Sequence, residues 1–235
     1  MGTLDLNKIV VGSIERRNEI LNSFLIIFSK FKTESLVHHG IQRSGTNYLN
    51  VLLKRKGVLV INKFDPPRGN LRHKHFRWQR NKKSIVMDFS YANDVEVDDI
   101  HQLNQLCGYK YNQKHVILYK KPENWINSIK AWERKCDWNE LSVEKYLNEW
   151  DNYYCFWKKM QIKNPDLVII VEFESLIAEP NKVLNDICSH FLFEKLIPEV
   201  LPNDGLIERV PVSPNGISNY KNKIEIDYDF DFFKF

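Results

Sequence analysis

Short aliphatic runs that recur between helix-length segments constrain this chain more than any other feature. Residues 36–41, 58–61, 85–89, 116–119 and 167–171 are brief β-branched or aliphatic stretches, the kind that a parallel sheet buries on both faces. Between them, apolar residues fall at helical spacing. Ile14, Leu21, Leu25 and Phe28 predict a helix over 13–31; segments 46–54, 141–162, 181–191 and the one opened by Pro122 predict others. This alternation predicts an α/β fold of three layers, a parallel central sheet with helices on both faces. At 235 residues and 43% hydrophobic, the chain suits a single domain over 1–235. Residues 1–34 would form an N-terminal helical extension and 223–235 a C-terminal tail, its 224–232 stretch alternating apolar and acidic groups like an edge strand.

Composition removes several classes of function. Lys and Arg outnumber Asp and Glu by 34 to 30, a net charge of +4, too mild to require nucleic acid as an obligate partner. Cys107, Cys136, Cys155 and Cys188 are far apart in sequence with no CxxC pair, so neither a zinc site nor a disulfide framework is expected. The longest apolar run, 20–28, is broken by Asn22 and Ser23 and falls short of the roughly 18 to 20 residues that a membrane span needs. The expectation is a cytoplasmic protein with no membrane span and no metal.

The most informative stretch joins the first run to the helix after it: Gly40, Ile41, Gln42, Arg43, Ser44, Gly45, Thr46, Asn47, Tyr48, Leu49. Glycines at 40 and 45 allow backbone N–H groups to turn inward, and the following helix start adds the positive end of its dipole. Such a glycine pair also serves a plain strand-to-helix turn. Arg-Ser-Gly-Thr at this place favours an anion site, with Ser44 and Thr46 as hydroxyl donors and Arg43 as a permanent charge. A nucleotide-hydrolysing P-loop continues Gly-Lys-Ser/Thr; here Thr46 takes the lysine position and Asn47 the magnesium-binding one. A sulfuryl group carries less charge than a terminal phosphoryl, so side-chain cations and backbone donors suffice for its transfer.

Gly-x-x-Arg-Ser-Gly-Thr-x-aromatic-Leu resembles the 5′-phosphosulfate loop of sulfotransferases that use 3′-phosphoadenosine 5′-phosphosulfate (PAPS). That resemblance implies a P-loop NTPase-like fold and PAPS as donor. The loop residues Gln42, Arg43, Ser44, Gly45, Thr46 and Asn47 would bind it, and Tyr48 would stack on the adenine. A second element, His115 through Lys120, Lys121, Pro122 to Ser128, is similar to the family's strand ending in Arg-Asp/Asn-Pro with a serine six residues on. It implies that Lys120, in place of arginine, and Ser128 hold the 3′-phosphate. Residues 168–176 are similar to the family's Tyr-Glu-Asp-Leu segment. Residues 215–222 look like a degraded Lys-Gly-x-x-Gly-Asp-Trp-Lys-Asn element, which carries Gly216 over as a weak cofactor contact and leaves Tyr220 as a packing residue.

Sulfuryl transfer to a hydroxyl or amine needs a proton acceptor, for which histidine suits neutral pH. Residues 68–83 hold seven Lys or Arg and no acid, and include His73, Lys74 and His75. Lys74-His75 resembles the Lys-His pair that supplies the base in many relatives, which implies His75 as base, with His73 second, and Lys74 beside it. The same run also reads as a solvated basic face, with Phe76 and Trp78 as anchors. His38 and His39 fit buried supporting positions, while His101, His115 and His190 have no evident partner.

The sequence therefore predicts a PAPS-dependent sulfotransferase whose catalytic set is Arg43, Lys74 and His75, acting on an unidentified acceptor, carbohydrate or small molecule. Two competitors stand beside it. One is a P-loop kinase of a nucleotide or small molecule. The other is a non-catalytic binder of nucleic acid or anionic glycan through residues 68–83.

Overall fold

The computed structural model describes residues 6–67, 69–85, 94–136 and 140–194. Four strands form one parallel sheet: β1 (Ser35–Gly40), β2 (Leu59–Val60), β3 (Lys114–Tyr119) and β4 (Val168–Glu172), in the order β2-β1-β3-β4. Among the described residues seven helices surround it: α1 (Leu6–Ser29), α2 (Thr46–Arg55), α3 (Ile100–Cys107), α4 (Pro122–Cys136), α5 (Val143–Lys163), α6 (Phe173–Ala178) and α7 (Pro180–His190). Every residue of β1 is buried, as a strand flanked on both sides and covered on both faces must be.

Alternation along the strands divides the interior in two. Val37 and Ile117 join a core built by α3, α4 and α5, with Ile26 of α1 at its margin. Leu36, Val116 and Leu118 join a second core, built by α2, α6 and α7. The molecule is thus an α/β fold with helices on both faces of a parallel sheet. Local chemistry sets several helix ends: Asp99 accepts from the His101 N–H to cap α3, Ser142 caps α5, and Pro122 and Pro180 open α4 and α7.

Helices α3 and α6 are additions to the expected set. Residue 85 sits in a turn rather than in the expected strand over 85–89, and the rest of that stretch, 86–89, falls outside the described residues. Among the described residues no helix is long and apolar enough to cross a membrane.

Register places the chemistry. Gly40 pairs with Leu118, and Tyr119 pairs with Glu172. The β1–α2 loop, Lys120 and Phe173 therefore emerge side by side at the carboxyl edge of the sheet, where α/β folds hold ligands. Helix α5 runs down one face from this edge: Trp150 Nε1 donates to the Lys120 carbonyl (2.8 Å), Tyr154 Oη to that of Leu118 (2.9 Å), and the Trp157 ring lies 4.4 Å from that of His39.

Candidate functional site

The loop after β1 is fixed from beneath. Gly45, at φ 95°, caps α2, and a Cβ there would fall 2.2 Å from the Phe173 ring. Gly40 is equally constrained, since a Cβ would meet Ser44 Oγ at 2.4 Å and Thr46 Cγ2 at 2.7 Å. Both glycines of the motif are required by close approach. Trp125 of α4 donates its Nε1–H to the Gln42 carbonyl at 2.6 Å, which ties the loop to the helix that follows β3.

Arg43 sits at φ 72°, in the left-handed region that a side chain with a Cβ adopts only at a cost. Its guanidinium lies 4.4 Å over the Trp132 ring, a cation–π contact that orients the charge. Ser44 is fully buried, and its hydroxyl has no hydrogen-bond partner. Thr46 is also buried, whereas Asn47 is exposed. In this first turn the Tyr48 N–H donates to the Gly45 carbonyl (2.9 Å), while those of Thr46 and Asn47 are ones that a helix cannot satisfy internally.

Lys120 is 4% exposed, with its ammonium 4.8 Å over the Phe173 ring. Phe173 therefore touches both Gly45 and Lys120. Burial lowers the Lys120 pKa to about 8; Glu174 works against that shift, and Arg43 adds to it. Arg43 and Lys120 thus feel each other's charge across one edge of the sheet. Ser128 lies half-buried on α4, two turns beyond its start.

The third component is the 73–77 segment. Its Lys74 carbonyl accepts from the Gly40 N–H (3.3 Å), which lays the segment along the end of β1. Lys74 is buried, and its ammonium donates to Asn47 Oδ1 (2.6 Å) and Asp65 Oδ2 (2.7 Å). Burial alone would raise the Asp65 pKa, but the Lys74 charge holds it below the usual carboxylate range. Lys74 thus works in place as a strut between α2 and the loop at Asp65.

His75 Nδ1 is 2.5 Å from the Gly40 carbonyl. A carbonyl can only accept, so Nδ1 carries the proton, and in the neutral ring Nε2 holds the lone pair. The His75 backbone N–H donates to His73 Nδ1 (3.1 Å), which places the lone pair of His73 in that bond. Of the two rings, His75 has the tautomer of a general base.

The structure brings Gln42, Arg43, Ser44, Gly45, Thr46, Asn47, Lys74, His75 and Lys120 to one edge. Tyr48 differs from the stacking expectation: it is 2% exposed, packed in the core that α2 builds, because it lies on the apolar stripe of that helix with Leu49, Leu52 and Leu53. Gly216 and Tyr220 lie outside the described residues, as does the 223–235 tail. The basic stretch is no uniformly solvated face, since Lys74 and Arg77 are buried while Lys82 and Lys83 are exposed.

Phe173, Trp132 and Arg77 are not among the expected site residues, although Phe173 falls in the 168–176 segment and Trp132 in the helix pattern after Pro122. Only Phe173 left a usable signal, an aromatic directly after a strand at its carboxyl end. Among the described residues no group of three His, Cys, Asp or Glu side chains is gathered as a metal site would need.

No family model matches the chain, and no curated protein does. Among solved structures, a sulfotransferase from Alicyclobacillus acidocaldarius is similar, with 16% identity and a TM-score of 0.30 over 46% of this chain and 51% of that one. The chain spans about half the length of that protein. At such a TM-score the likeness carries no weight, and the functional reading rests on the site itself.

Proposed function

We propose that the protein is a sulfotransferase that takes the sulfuryl group of PAPS and passes it to a hydroxyl or amine of a carbohydrate or small-molecule acceptor. The observation that carries this reading is the convergence of Arg43, Lys120 and a correctly protonated His75 on the carboxyl edge of one parallel sheet. The residues fit the donor. Ser44 offers a buried hydroxyl without a protein partner, and the first turn of α2 offers backbone N–H groups to the 5′-phosphosulfate. Lys120 and Ser128 take the 3′-phosphate.

In the transfer, the acceptor oxygen or nitrogen forms its bond to sulfur as the bond from sulfur to the 5′-phosphate oxygen breaks. The acceptor proton passes to His75 Nε2, and adenosine 3′,5′-bisphosphate leaves with the electron pair. Arg43 and the loop amides stabilise the charge that grows on that phosphate, the interaction worth most in such a step. Where a nucleotide-hydrolysing P-loop places Lys and a magnesium-binding hydroxyl, this chain has Thr46 and Asn47, so the burden falls on Arg43 and Lys120.

Calorimetric titration with adenosine 3′,5′-bisphosphate against ATP plus magnesium tests the reading. The expected result is binding of the bisphosphate at least about tenfold tighter, a discrimination that one charge-assisted contact supports. A preference for ATP would transfer the assignment to a kinase.

A further inference from the structure

Beyond the donor loop, one cavity of about 400 Å³ opens beside the 73–77 segment, a volume that suits a sugar ring or two. Its walls come from residues 77–85 and from the first three turns of α5. Because Trp150 of α5 reaches the Lys120 carbonyl, the part of the helix that precedes it stands at the carboxyl edge of the sheet. Arg77, at the cavity floor, follows His75 by two residues, which puts their Cα atoms within about 7 Å. Phe76 and Trp78, on either side of Arg77, are buried in the core.

The charges in this cavity are unbalanced in a specific way. Arg77, Lys82, Lys83 and Lys145 line it, with Glu149 as the one carboxylate among the described lining residues. Glu149 is already well bonded: it accepts from Arg77 Nη2 (2.5 Å), Ser84 Oγ (3.0 Å) and the Ile85 N–H (2.8 Å). Arg77 is not. Its guanidinium lies 4.5 Å over the Tyr153 ring, the residue is 7% exposed, and its Nη1 is buried without a hydrogen-bond partner. A buried guanidinium nitrogen left unpaired is costly unless a ligand anion completes it. The three lysines at the rim add positive potential, and among the described lining residues the one acid, Glu149, is already engaged by Arg77.

We infer that this cavity is the acceptor subsite, and that it selects an acceptor bearing a carboxylate on a saccharide ring. Arg77 and the rim lysines together receive the carboxylate, and a neighbouring hydroxyl of the same sugar is presented to His75. This rests on the sulfotransferase reading, which it deepens by naming the acceptor class.

The test uses the full chain and two probes: a glucuronate-containing disaccharide, and the same disaccharide with its carboxyl reduced to an alcohol. Binding is measured by calorimetry, with adenosine 3′,5′-bisphosphate titrated separately into the same preparation. The uronate form should bind at least about tenfold tighter than the reduced form. Lys82→Gln/Lys83→Gln/Lys145→Gln, all at exposed positions, should remove most of that preference and leave bisphosphate affinity within about twofold, as expected for separate sites. Equal binding of the two disaccharides, or binding of neither, overturns the inference even if the bisphosphate binds. Failure to bind the bisphosphate overturns the donor reading, and the acceptor assignment falls with it.

Discussion

Two pairs of histidine rings lie near β1, one within the sheet and one at the end of the strand, each with centroids 5.2 Å apart, and their surroundings differ sharply. His39 and His115 stack within the sheet, wholly buried. Asn104 Oδ1 accepts from His115 Nε2 (2.7 Å), so His115 Nδ1 is the acceptor for His39 Nε2 (3.0 Å). Both rings are held neutral, His115 by burial that lowers its pKa to about 3, and His39 well below its ordinary value. His73 and His75 sit at the carboxyl edge, tilted at 55°, where a backbone carbonyl fixes His75 and leaves its Nε2 lone pair directed away from that bond. The difference teaches that proximity of imidazoles does not make a proton relay. The inner pair is bonded through His39 Nε2 and both His115 nitrogens in a low dielectric, with His39 Nδ1 buried and unpaired; the outer pair has a fixed tautomer next to the β1–α2 loop.

Exchange of these roles would break the comparison. His75→Asn should lower kcat by about 10²- to 10⁴-fold, the usual range for loss of a general base, while bisphosphate affinity measured by calorimetry stays close to wild type. A comparable loss of affinity would make His75 a structural ring like His39. Conversely, His115→Ala should cost about 3 kcal/mol in denaturant unfolding, since it leaves a cavity and strands His39 Nε2–H and Asn104 Oδ1.

The buried histidines of β1 and β3 also fix a pH dependence. His38 is lowered to about 4, chiefly by burial, and His115 to about 3. The unfolded chain binds these protons near pH 6.5 and the folded one does not, so stability is full above about 6.5 and falls as pH drops toward 3. His39→Phe/His115→Leu, which removes both inner rings, should flatten the acid limb of an unfolding curve. An unchanged limb would assign acid lability to His38 or to groups outside the sheet.

What could be read in advance follows the range of the interaction concerned. The β1–loop–α2 unit was legible because glycine spacing, the aliphatic run and the helix start lie within about twenty residues of one another, and Gly40 and Gly45 prove to be needed at those places. The parallel sheet was legible from its strands. Its order was not, because nothing in residues 35–40 states that β3 rather than β2 will lie between β1 and β4. Phe173 depends on that order, since it meets Gly45 and Lys120 only through the β3–β4 register. Trp132 and Arg77 gain their roles from α4 and α5 packing, which periodicity does not encode. Helix α3 escaped because eight residues show barely two turns of pattern, although Asp99 and Gly108 bracket it with standard capping chemistry. The aromatic Tyr48 was assigned to a ligand by motif, and the apolar face of α2 claimed it instead.

Lys120 permits a finer cut, because it is a buried cation in the proposed site just as His75 is a half-buried base. With its pKa at about 8, it is charged at neutral pH and loses the proton as pH rises through 8. Bisphosphate affinity should therefore decline above pH 8 by up to about tenfold per unit, until the pKa of the bound form is reached. Lys120→Arg, charged throughout that range, should abolish the decline. A decline of equal steepness in the variant would move the titrating group elsewhere.

The smallest effect concerns Arg43, where backbone and side chain make opposing demands. At φ 72° a residue with a Cβ is strained by about 1 to 2 kcal/mol, a cost that glycine does not bear. Arg43→Gly should relieve that strain but also enlarge the freedom of the unfolded chain and remove the contact with Trp132, terms of about 1 kcal/mol in the opposite direction. Net stability should thus change by less than about 1 kcal/mol, while bisphosphate binding is lost. Arg43→Ala keeps the strain, loses the same contact and should unfold more readily than Arg43→Gly. If the two variants are equally stable and both retain the bisphosphate, the left-handed turn at Arg43 is a local accident of chain direction. If Gly is the more stable and both fail to bind, the strain is maintained by what the guanidinium holds, and the loop is set for its anion rather than for its own stability.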